Sequence, residues 1–430
     1  MSETVEIAVG TGLWTVTVPD AKRVAVIRDV EPEAFEDAAD LLRAALERPI
    51  GIDAPVRRAV TPDDKVAIVV DERLPEVGTL VGVLLEHLDS AGIPSSAVTL
   101  VVPPPTGRQE WIDDLPDAFD DVHVEVHDPE DITRLAYVAA TQGGRRVYLN
   151  RTVAEADFVA VLTARTYHPT RGPWGGETAL FPVLSDAETR AAFAHPPPDA
   201  DKPDLRGEAV EVMWLLGGPF LVQVIEGFGD GVVEVMVGLP GSTTNGAKRL
   251  EARWKCVAES EADLVIAAVS GAWERVTLLD LAAAVNTARR AAGPDARIVL
   301  LTEASPMLDE ATEVLRRADT PAAALKGIRA ANADDPTAAL LWARAANAAS
   351  LFVASEWPDE VVEELFATVI SKPSELNRLI DAAEKVTVIQ DAHKTRIEVE
   401  KSPVRFPKAR HVPYAEPDFR AGSPHPPARR

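Results

Sequence analysis

Apolar residues are distributed along the chain in two ways. Short, continuous, β-branched runs recur at residues 65–70, 97–102, 122–126 and 157–163, each bounded by turn-forming or charged residues, and read as buried strands. Between the first two, Leu80, Val83, Leu84 and Leu88 repeat at helical spacing and stop at Gly92. Strands alternating with amphipathic helices predict parallel βαβ units with helices on both faces of a sheet. Residues 220–225 and 232–237 flank Gly229-Asp230-Gly231, a hairpin signal that adds antiparallel strands to this first unit.

Alternation then resumes. Strands are expected at 263–269, 297–302, 350–354 and 385–390, with helices over 277–292, within 308–346, and twice more before the last strand. The expected fold class is α/β: two αβα domains with largely parallel sheets, spanning 1–255 and 263–395. Residues 402–430 are rich in Pro and Arg without periodicity and read as a disordered or surface-lying basic tail.

Composition narrows the function. A length of 430 residues with 46% apolar side chains provides for two or three cores. The single cysteine, Cys256, excludes a disulfide framework and a thiolate metal site. A formal charge of −24 argues against nucleic acid or an anionic membrane surface as the main partner. No apolar run reaches the ~18–20 residues of a membrane span, and residues 1–10 carry acids where a secretory signal carries basic residues. A cytoplasmic location is the expectation.

In open parallel sheets, ligands bind beyond the carboxyl ends of the strands. The loop after Val70 offers Asp71 and Arg73, and the loop after Val102 carries three prolines and then Arg108. The richest loop follows Thr163: Arg165, His168 and Arg171 supply cationic donors and an imidazole, while Gly172, Gly175 and Gly176 permit close backbone approach. It suits a phosphate or carboxylate, although a solvated connection explains the same residues. Trp174 either walls a ligand site or packs. His127 reads as a hydrogen-bonded structural residue, and His87 and His123 as solvated ones.

Three stretches carry a resemblance: Pro49-Ile50-Gly51, the run from Arg58 through Asp71 (RAVTPDDKVAIVVD), and Leu149-Asn150-Arg151-Thr152-Val153-Ala154-Glu155-Ala156-Asp157. They resemble the nickel-dependent lactate racemase family, and the resemblance runs from about residue 6 to about residue 395. It implies a two-domain α/β fold and a nickel ion held in a pincer nucleotide derived from nicotinic acid. It also implies racemisation of a 2-hydroxy acid, a small anionic substrate, by removal and return of a hydride.

Carried over residue by residue, Asp71 falls near the cofactor and Arg73 near the substrate, although Arg73-Leu74-Pro75 replaces the family's Arg-Pro. His168 matches a catalytic histidine, His195 the nickel-ligating histidine, and Gly175-Gly176 the cofactor loop. Other positions depart. Thr178 stands where the family's cofactor-linking lysine belongs, so the resemblance implies a cofactor held without a covalent bond. The loop that supplies the family's other catalytic histidine is Thr106-Gly107-Arg108-Gln109, in which Arg108 is the group left to bind a substrate carboxylate. A Gln-x-x-Lys pair aligns with Asp280 and Ala283, and an Asp-Gln-Trp with Asp335-Pro336-Thr337. Two readings follow: a racemase or epimerase acting on a 2-hydroxy acid other than lactate, with His168 as base, or a catalytically degenerate homologue that binds a ligand or partner.

Overall fold

The computed structural model describes residues 3–19, 24–27, 36–104, 109–194, 205–331, 333 and 335–399. Two six-stranded sheets organise it. In the first, the order across the sheet is Val232–Gly238, Phe220–Glu226, Phe158–Ala164, Val66–Val70, Val98–Val102 and His123–Val126. The last five strands run parallel, and Val232–Gly238 pairs antiparallel at the edge, as the Gly-Asp-Gly turn predicts. All five residues of Val66–Val70 are buried, so this strand contributes apolar side chains to both faces. At about 1.5–3 kcal/mol per fully buried Val or Ile, such strands dominate the stability of the sheet.

The second sheet is wholly parallel, in the order Ala367–Val369, Ser350–Ala354, Ala292–Leu301, Ala262–Ala268, Val386–Ile389 and Val24–Ile27. Helix Leu278–Ala291 covers one face. It starts at a capping box in which Thr277 and Asp280 bond each other's backbone N–H.

The chain-order division at 1–255 and 263–395 differs from this topology at its beginning. Val24–Ile27 pairs with Val386–Ile389 at the edge of the second sheet. The hairpin Glu3–Val9 with Gly12–Val18 also packs there, burying Ile7, Val9 and Val16 against Leu264, Ile266 and Val388. A four-residue strand carries no local signal of which sheet it will join, because its partner lies more than 350 residues away. Residues 402–430, expected as a basic tail, lie outside the described residues.

Candidate active site in the cleft between the two sheets

Strand Phe158–Ala164 ends in a small hairpin, Thr166–His168 paired with Gly172–Trp174, and this turn holds His168. The imidazole lies 5.3 Å from the Trp174 ring, and its Nδ1 sits 3.3 Å from the Thr170 N–H and 3.1 Å from the Thr170 hydroxyl. Accepting from the N–H places the ring proton on Nε2; donating to the hydroxyl leaves Nε2 with a free lone pair. One residue thus supports both tautomers. Burial, then the nearby Arg171 and Arg73 charges, push the His168 pKa down to about 4 against the pull of Asp335, so the ring is neutral at pH 7.

The loop after Val66–Val70 brings Asp71 and Arg73 to the same place. Arg73 Nε lies 3.5 Å from Asp71 Oδ1, and Asp71, Asp280 and Glu226 together hold the guanidinium charged. Asp71, Arg73, His168 and Trp174 line both of two adjoining cavities. One, about 650 Å³, opens over the carboxyl ends of the first sheet; the other, about 160 Å³, lies between the two sheets. At ~30 Å³ of liquid volume per water, the smaller has room for about five waters, the scale of a three- or four-carbon acid.

The far wall of the smaller cavity comes from the second sheet. Arg275 Nη2 and Lys394 Nζ each lie 3.0 Å from Oε2 of the buried Glu226. Burial alone raises a carboxyl pKa, but Lys394 and Arg275 outweigh it and hold Glu226 down at about 2. Arg275 also pairs with Asp230 and donates from Nε to the Arg73 carbonyl at 2.8 Å. Lys394 donates to Gly229 O at 2.6 Å, and Asp391 accepts from Gly229 N and Ser270 N, both at 2.9 Å. The hairpin turn at Gly229 is therefore clamped to the second sheet by charge-assisted bonds. Asp280, Ala283 and His393 complete this wall. His393 Nδ1 is buried with no partner among the described residues, and burial above all lowers its pKa.

Several sequence expectations change here. Arg165 lines the smaller cavity, but its guanidinium is committed to protein partners rather than left for a ligand. Its side chain is 0% exposed, donates to Gly175 O at 2.7 Å and pairs with Glu177 at 3.3 Å. Glu177 in turn takes Arg206 at 2.6 Å. Gly175 lines the larger cavity, but Gly176 and Thr178 do not. Thr178 Oγ1 accepts from Gly175 N at 2.8 Å and donates to Gly175 O at 3.2 Å, which commits the hydroxyl to its own turn. Gly175 has φ 88°, and a Cβ there would clash with the Ala164 carbonyl oxygen, so the glycine answers to protein backbone. His87 is not solvated: its side chain is 9% exposed and Nε2 accepts from Arg57 N at 2.9 Å. His127 is structural as expected, with Nε2 3.0 Å from Ser185 O. Arg108 and His195 lie outside the described residues.

Arg275, Glu226, His393 and Lys394 were not among the sequence candidates. The signal was present, since Asp391-Ala392-His393-Lys394 follows a parallel strand at its carboxyl end, where the second sheet obeys the same rule as the first.

The fold and cleft define a class: a two-sheet α/β protein with a small ion-lined cavity between its sheets. Residues 9–195 match the family model of the lactate racemase N-terminal domain. Among solved structures, the chain is similar to the lactate racemase apoprotein from Thermoanaerobacterium thermosaccharolyticum, with a TM-score of 0.74 and 16% sequence identity over 92% of this chain and 100% of that one. It is also similar to a protein of known crystal structure from Thermotoga maritima, with a TM-score of 0.61 and 10% identity over 86% of this chain and 100% of that one. No curated protein matches it. Residues 9–195 thus carry a lactate racemase N-terminal domain, and the chain has the fold of the lactate racemase apoprotein.

Proposed function

We propose that the protein is a racemase or epimerase of a small 2-hydroxy acid other than lactate, using a nickel-pincer nucleotide held without a covalent bond. The observation that carries this reading is the convergence of Arg73, Asp71 and His168 on a cavity between the sheets large enough for a small acid. Arg73 offers a carboxylate two parallel donors. His168, neutral at pH 7 and backed by Thr170, takes the hydroxyl proton at Nε2 when Nδ1–H donates to the threonine hydroxyl. When bound, the cofactor supplies the hydride acceptor.

The residues present fit a non-covalent cofactor only. The larger cavity has the volume for a nucleotide, but Thr178 Oγ1 is bonded to Gly175 and gives no attachment point. Among the described residues no group of three His, Cys, Asp or Glu is placed to hold a metal ion. The nickel donors would be the cofactor's own sulfurs with one imidazole, and we assign the latter to His195.

The test is to produce the full chain together with the cofactor-synthesis enzymes, then measure bound nickel, the visible absorbance and the racemisation of a panel of 2-hydroxy acids. Stoichiometric nickel and racemisation are expected, with His168→Gln reducing the rate by about 10²–10⁴. Background nickel with an unchanged spectrum would overturn the proposal. Nickel without racemisation would favour the degenerate, ligand-binding homologue.

A further inference from the structure

A third cavity, about 260 Å³, adjoins the one between the sheets and shares Tyr167, His168, Pro169, Ala283 and His393 with it. Three segments build its walls. The His168 hairpin contributes Thr170 and Arg171. Helix Leu278–Ala291 contributes Ala283, Asn286, Thr287 and Arg290, whose spacing puts them on one helical face. The segment entering strand Arg396–Val399 contributes Thr395 and Arg396.

The charge of this cavity sets it apart. Asp71, Glu226, Asp230 and Asp280 line the cavity between the sheets, and five carboxylates line the larger one. No aspartate or glutamate among the described residues lines the third, although the sequence has 68 of them. Its charged groups are Arg171, Arg290 and Arg396, accompanied by two imidazoles and by neutral hydroxyl and amide groups. Arg290 makes no ion pair among the described residues. Arg396 stands 5.8 Å over the Tyr167 ring, and its one ion pair among the described residues is with Glu398, at 3.7 Å with both side chains 40% or more exposed, a geometry that contributes little. Arg171 is positioned by stacking 5.1 Å over Trp174 and by donating to Phe193 O at 3.2 Å. In a chain of net charge −24, three guanidiniums around one cavity create a local positive potential that selects anions.

We propose that this cavity is a binding subsite for a second anionic group of the substrate. The ligand is then a 2-hydroxy acid with a distal carboxylate or phosphate, its 2-hydroxy acid end on Arg73 and His168 and its distal oxyanion among Arg171, Arg290 and Arg396. The assignment of the ends rests on the functional reading above; the affinity for an oxyanion rests on the arginines alone.

Titration calorimetry of the full chain tests it with four probes: lactate, malate, 2-hydroxyglutarate and 3-phosphoglycerate. At least one dianion is expected to bind tenfold or more tighter than lactate, and the comparison of carboxylate with phosphate probes identifies the distal group. In Arg290→Ala and Arg396→Ala the ratio of dianion to lactate affinity should fall toward one. In Arg73→Ala, affinity for all four should fall together with the ratio kept. Equal affinity for lactate and the dianions, a ratio indifferent to Arg290 and Arg396, or no binding of any probe at millimolar concentration would overturn the subsite. Dianion affinity that depends on Arg290 but is unchanged in Arg73→Ala, in a protein that takes up no nickel, keeps the subsite and removes the racemase reading.

Discussion

Two buried glutamates in this protein are each held by two cations, to different ends. Glu177, 1% exposed, takes Arg165 and Arg206 inside the first sheet's own layer. Glu226 takes Arg275 and Lys394, which come from the second sheet and also grip the Gly229 turn of the first. The first cluster fixes a local loop, because Arg165 also holds the Gly175 carbonyl and so orients the turn beneath the larger cavity. The second cluster joins two sheets and walls the cavity between them. Ion clusters of similar composition thus serve packing in one place and the relation between layers in the other, and their partners' alternatives decide how much each removal costs.

The largest effect is expected at Glu177. Substitution Glu177→Ala leaves Arg165 charged and 0% exposed without its carboxylate, a change that costs about 3–5 kcal/mol when a buried pair is broken. Urea unfolding of the purified variant reads this directly. A loss below about 1 kcal/mol would mean that the guanidinium is satisfied by backbone alone, and the contrast with Glu226 would disappear.

Glu226→Gln should cost less, because Lys394 keeps the Gly227 and Gly229 carbonyls and Arg275 keeps Asp230. The carboxyl pKa of about 2 lies below its ordinary 4.5. The stabilisation from ionising Glu226 is therefore fully present above pH 4.5 and is lost as the pH falls toward 2. At 1.36 kcal/mol per unit, having Glu226 ionised rather than protonated stabilises the fold by roughly 3 kcal/mol at neutral pH. The variant should lose about 2–3 kcal/mol at pH 7 and show a flatter stability profile between pH 4.5 and 2. Faster amide exchange at residues 227–231, with the Gly175 turn still protected, should accompany it. A variant whose acid limb matches that of the parent would remove Glu226 from the contacts that hold the sheets together.

Much of the fold was legible because buried parallel strands announce themselves. Residues 65–70, 97–102 and 157–163 are continuous apolar runs with clear ends, and each is a strand close to those limits. Of the candidate site, the position of Asp71, Arg73 and His168 on the cavity lining was legible for a related reason, since polar residues directly after a parallel strand lie at its carboxyl end. The pairing of Arg165 was not legible, because a basic residue in a Gly-rich loop reads as a free donor until its partner is known, and Glu177 is twelve positions away in a turn that only the fold closes. His393 and Lys394 lie at the same kind of place, just after the parallel strand Val386–Ile389, but with no glycine-rich loop to mark it. The place of Val24–Ile27 depends wholly on a partner strand at the other end of the chain.

The smallest expected effect separates the two glycine positions flanking the Trp174 strand. Gly172 has φ 84° but open space where a Cβ would stand, whereas at Gly175 the same atom would meet the Ala164 carbonyl. Gly172→Ala should therefore cost only the left-handed backbone penalty, about 1–2 kcal/mol, in a thermal or urea transition that remains cooperative. The hairpin would relieve that strain by shifting at Thr170, and Thr170 holds Nδ1 of His168. A modest loss of stability is thus expected together with a His168 pKa displaced from about 4 toward its ordinary 6.5, read from the imidazole signals in an NMR titration. A ring still titrating near 4 in this variant would show that burial among Arg171, Arg73 and Trp174 sets its protonation, and that the turn only carries it.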